Sequence, residues 1–126
     1  MSGTISYPGP NSRFALPFVG QGVSTSVDNH SATAQTVDIT FTMTATLHGP
    51  ATGRISYSVD TGDGDPILEH IALTDGAAVS APRVYTVVLQ QGQSAFVQSG
   101  AFINTAPGAA SIDWSGASVA FTPRTP

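Results

Sequence analysis

Apolar and polar residues alternate without a break from Val37 to Leu47, VDITFTMTATL. Val37, Ile39, Phe41, Met43, Ala45 and Leu47 fall on one side of a strand. Asp38, Thr40, Thr42, Thr44 and Thr46 fall on the other. Successive strand side chains point to opposite faces, so this is a long strand with one buried side and one threonine-covered side. A helix would scatter the same residues around its circumference.

Gly and Pro in His48–Gly53 mark a turn. Arg54–Asp60 then alternates again, with Ile55, Tyr57 and Val59 on one face, and the two strands read as a hairpin. Further strands are expected at Ile5–Tyr7, Gly22–Asp28, Leu68–Leu73, Val84–Gln90 and Ala95–Ile103, the last interrupted by a bulge at Gly100. Thr74–Pro82 reads as a loop. Ile112–Trp114 and Ala117–Thr122 read as two short strands around Ser115-Gly116. About eight strands, with turn signals at roughly 8–12-residue spacing, predict an all-β chain. The architecture they fit is a two-sheet antiparallel β-sandwich, jelly-roll-like. No segment has helical periodicity of useful length.

The chain of 126 residues reads as one domain. Its Pro-rich N-terminal stretch, residues 1–20, and its tail Thr122–Pro126 read as extended arms. Tyr7, Phe14 and Phe18 lie in the first arm, where a core has little use for them. They are candidate oligomer contacts.

Composition narrows the function. Charged residues make up 10%, there is no lysine, and the net charge is −4. Without a basic cluster the electrostatic footprint of nucleic-acid binding is missing. No apolar run approaches the ~18 residues of a membrane helix, so no membrane insertion is expected. The start MSGTISYPGP lacks the pattern of a signal peptide. The absence of cysteine excludes disulfides, thiolate metal sites and a cysteine nucleophile.

The stretch Tyr57–Pro66, YSVDTGDGDP, carries the most chemistry. Asp60-Thr61-Gly62 spells the short motif of aspartic proteases, which need two aspartates sharing a proton and therefore a homodimer. Asp63 stands where a small residue would be expected, and a further carboxylate there would disturb the pair. Asp60, Asp63 and Asp65 also suit a hard cation such as calcium, although the spacing is not that of a helix–loop–helix site. The plain reading is a loop in which Asp-Gly pairs accept positive φ and Pro66 starts the next strand. His30, His48 and His70 show no metal-ligand spacing. Asn29-His30-Ser31 is a glycosylation sequon. Trp114, Tyr57 and Phe41 are in phase with core positions.

The C-terminal third, VYTVVLQQGQSAFVQSGAF and ASIDWSGASVAFT, resembles the closing strands of bacterial and phage C1q/TNF-like jelly rolls. The likeness covers Val84–Gln98 and the final strand Ala117–Thr122. It is a pattern of small and apolar residues, with no functional residue to carry over. It implies a trimeric, non-enzymatic domain in a surface or fibre assembly, or in a lectin. Two functions follow. One is a self-associating structural module, such as a virion decoration, fibre or surface-assembly component. The other is a carbohydrate-binding lectin, aided by calcium.

Overall fold

The computed structural model describes residues 3–7, 19–106 and 108–124. It is an all-β sandwich of nine strands in chain order. They are β1 (Gly3–Tyr7), β2 (Val19–Asp28), β3 (Gln35–His48), β4 (Thr52–Asp60), β5 (Ile67–Leu73), β6 (Ala78–Ser80), β7 (Arg83–Leu89), β8 (Ser94–Thr105) and β9 (Ala110–Pro123). One sheet runs β1-β9-β3, with β6 and β7 both paired to the far side of β3. The other runs β2-β8-β4-β5. Every named pairing is antiparallel.

The alternation from Val37 to Leu47 lies as the sequence predicts. All six apolar residues are buried, and the threonines line the outer face. Thr42 shares a hydrogen bond of 2.6 Å with Ser118 on β9. The core is filled from both sheets, with Phe41, Ile39, Met43 and Ile112 from one and Tyr57, Ile55, Val97 and Ile103 from the other. Trp114 is buried as well, and its Nε1 donates to Gln21 Oε1 of the facing sheet at 3.2 Å.

Four expectations change. β3 and β4 are not a hairpin: they lie in opposite sheets, and the segment between them turns a corner of the sandwich. Both strands want one buried face, and β3 finds its partners in β9 and β7, β4 in β8 and β5. The hairpin forms one step later, between β4 and β5. The bulge expected at Gly100 is absent. Gly100 pairs regularly with Ser56 and Gly22, and the β4–β8 register slips between Thr52 and Gly53 instead. The two short C-terminal strands are one strand, β9, with a bulge opposite Met43 where Gly116 has φ 62°. A short strand, β6, lies within the expected loop Thr74–Pro82.

The arms divide. Tyr7 closes β1, whereas Phe14 and Phe18 lie outside the described residues. In the tail, Thr122 and Pro123 belong to β9. Arg124 is tied down by its N–H to Thr36 O at 2.8 Å and its Nε to Asp38 Oδ2 at 2.8 Å.

Candidate binding surfaces

Asp60 and Asp63, at the loop after β4, make hydrogen bonds within the protein. Asp60 Oδ1 accepts the Gly62 N–H at 2.9 Å, an Asx turn. Asp63 Oδ2 accepts from Gln93 Nε2 at 2.7 Å, and the same nitrogen reaches Thr61 O at 2.9 Å. Gly62 and Gly64 have φ of 81° and 85°, which glycine alone adopts readily. Gln93 thus docks the β4–β5 loop onto the turn between β7 and β8. Asp65 is exposed. Among the described residues no three His, Asp or Glu side chains converge as metal ligands would.

The sequon is closed in this fold. Asn29 is buried, and its Nδ2 donates to Leu89 O at 2.9 Å and to Thr33 O at 3.0 Å. The nitrogen a glycan would need is already in use. His48 Nε2 meets Asp113 Oδ2 at 3.1 Å on the surface, and His30 is exposed near Asp28.

The outer face of the four-stranded sheet carries a trough of about 610 Å³, within the usual range of ligand sites. Register creates it. Gly22, Gly100, Ser56 and His70 stand in one row across β2, β8, β4 and β5, so the middle of that row has almost no side chain. The next row on one side holds Phe102 and Arg54, and the next on the other holds Gln98, Ser58 and Leu68. These two rows are the walls. The strands also approach closely at the floor: a Cβ on Gly22 would lie 1.9 Å from Ser99 O.

Arg54 is held firmly. Its guanidinium lies 4.9 Å from the centre of the Phe102 ring, a cation–π contact. Nε donates to Ser56 Oγ at 2.9 Å, and Nη1 donates to Asn104 Oδ1. Ser56 Oγ also lies 2.8 Å from His70 Nδ1. A serine beside a histidine is the start of a nucleophile–base pair. Here, though, no carboxylate bonds His70 among the described residues, and the interior strands β8 and β4 are paired along both edges. The arrangement leaves polar side chains lining an open trough. Single-residue reading missed the trough, since its four floor residues come together only through the pairing of four strands.

A second surface is β7, which pairs with β3 on one side. Val84 and Val88 on this edge are 60% and 53% exposed. The inward residues of β7 are tied by ionic and phenolic contacts: Arg83 Nε to Glu69 Oε2 at 2.9 Å, and Tyr85 Oη to Glu69 Oε1. Those two donors hold the Glu69 carboxyl below its usual range, the Tyr85 bond having the larger effect. Burial first, then the bond to Glu69, pushes the Tyr85 phenol up.

No protein-family model and no curated protein matches the chain. Among solved structures, the infectious bursal disease virus Gt strain aligns with 96% of this chain at TM-score 0.52 and 14% identity. The chain spans 30% of the length of that viral chain. A Gx strain structure of the same virus aligns at TM-score 0.39 and 10% identity, over 98% of this chain and 40% of the viral one. A CBM4 structure aligns at TM-score 0.38 and 15% identity, over 97% of this chain and 95% of its own. The first likeness shows the β-sandwich fold.

Proposed function

We propose that the protein is a non-enzymatic module that assembles with copies of itself at a particle or fibre surface. The observation that carries the reading is the β7 edge. A sheet edge bearing exposed β-branched residues is a template for pairing with another chain. The fold shared with a viral structure and the low surface charge support it. The resemblance to C1q/TNF-like jelly rolls makes a trimer the specific form of this proposal, with Tyr7, Phe14 and Phe18 as further contacts. Light scattering on the purified chain tests it. A trimer or higher ring that Val84→Lys reduces to monomer is the expected result, and a monomer at all concentrations overturns it. The same run with calcium addresses Asp60, Asp63 and Asp65: a calcium-dependent mass or melting temperature makes them ligands.

A second reading, favoured by the trough, is carbohydrate binding. Hydroxyl, amide and imidazole groups beside the Phe102 ring match the alternating polar and apolar faces of a sugar. Titration with a panel of oligosaccharides separates the two, because an assembly module without this site leaves all of them unbound.

A further inference from the structure

We infer that the trough takes an acidic glycan, a sugar chain carrying carboxylates. The inference rests on the carbohydrate reading of the same trough and adds its charge and its source of selectivity.

The charge follows from which groups are paired. The chain carries eight acidic residues and four arginines. Of the arginines in described residues, Arg83 is paired with Glu69 at 2.9 Å and Arg124 with Asp38 at 2.8 Å. Arg54 has no carboxylate partner among the described residues. Among the described residues it bonds two neutral oxygens, of Ser56 and Asn104, through Nε and Nη1. Nη2 has no partner among the described residues. No Asp or Glu lines the trough. Among the described residues, an acidic protein thus leaves half-buried Arg54 without a carboxylate partner, in a concave site that no Asp or Glu lines. A guanidinium prefers carboxylate or phosphate oxygens, which give bonds roughly twice as strong as neutral ones.

The rest of the lining selects a sugar over an acidic peptide. β4 and β8 are interior strands with both edges paired, so a peptide cannot add to them by main-chain bonding. What the trough presents instead is side-chain hydroxyl and amide from Ser58 and Gln98, the His70 ring, and the apolar surfaces of Phe102 and Leu68. Three inter-strand gaps at ~4.8 Å give a floor about 14 Å long, room for a short run of linked rings. The Phe102 contact and the bonds of Nε and Nη1 hold the guanidinium in place, so a carboxylate along the chain meets a preorganised donor.

The test is an NMR titration of the full chain, following the backbone amides of Gly22 and Gly100. The probes are an oligogalacturonate, a neutral cello-oligosaccharide of equal length, and an oligoglutamate. The expected result is shifts at both glycines, with the acidic sugar bound at least about tenfold tighter than the neutral one, as loss of a charged hydrogen bond implies. Arg54→Gln should erase that preference, and Gln98→Ala should weaken both sugars. If Arg54→Gln does not fold, added salt on the unaltered protein should shrink the preference instead. Equal binding of both sugars overturns the acidic ligand and leaves the carbohydrate reading standing. Oligoglutamate binding as well as the acidic sugar overturns the sugar chain. No binding by any probe overturns both.

Discussion

Phe41 of one sheet stacks on Tyr57 of the other, ring centroids 4.7 Å apart with 21° between the planes. Both rings are buried, so this contact joins the two layers inside the core. Phe41→Ala should cost about 3–5 kcal/mol, the range for deleting a buried aromatic ring. Urea unfolding measures it, and a loss under ~1 kcal/mol would remove Phe41 from the core.

Tyr57 has a second attachment, its hydroxyl donating to Ala81 O just before β7. Tyr57→Phe keeps the stack and leaves that buried carbonyl without its donor. The expected cost is about 1–3 kcal/mol. Buried Ser99 behaves oppositely, because its Oγ has no hydrogen-bond partner among the described residues. Ser99→Ala should be neutral or stabilising in the same measurement.

Asn29→Ala removes a side chain that bonds Leu89 O, Thr33 O and the Ser31 N–H at once. A cost of at least ~2 kcal/mol is expected from the acceptors left bare. Expressed in a glycosylating host, the folded protein should carry no sugar at Asn29, which intact-mass spectrometry reads directly.

Gly22→Ala and Gly62→Ala separate two uses of glycine. At Gly22 the added carbon meets Ser99 O, and closely paired strands have to part, a cost of about 2–3 kcal/mol or more. At Gly62 nothing lies within 4 Å, and the penalty is only that of φ 81°, about 1 kcal/mol. Comparable melting shifts for the two variants would contradict the close packing of β2 on β8.

Glu69 sets an acid limb. Its folded pKa is lowered, so its contribution is present above the ordinary value of 4.5 and is lost as pH falls through the folded value. Melting temperature should therefore drop in acid. Glu69→Gln should flatten that drop, and calorimetry across the acid range would reveal an unchanged slope if the contacts to Tyr85 and Arg83 were unimportant.

The strands were legible because each exposes one face, and period-2 alternation records that directly, as in Val37–Leu47. Which sheet a strand joins was not. His48–Gly53 looks the same whether the chain folds back beside β3 or turns the corner to the other sheet, and the choice belongs to β8 and β9, more than forty residues downstream. The bulge at Gly116 reads as a boundary between two short strands for a related reason: it interrupts the alternation without interrupting the strand. The trough was invisible for the strongest reason. Gly22, Ser56, His70 and Gly100 mean nothing separately, and only pairing puts them in a row.

That bulge also constrains how the chain can vary. Ile112 and Trp114 are buried before it, whereas Ala117 is buried, and Val119 and Phe121 pack on the core, after it. The inward positions change from even to odd numbers at Gly116, so β9 is written in two reading frames joined by one extra residue. Loss of Gly116 itself would merge the two frames into one regular alternation, whereas removing Ser118 beyond the bulge would turn Val119 and Phe121 out to solvent and Ala120 inward, a frameshift in space rather than in code. Lineages descended from this chain should tolerate length changes in the β4–β5 loop, or loss of the bulge residue, far more readily than a one-residue deletion at Ser118.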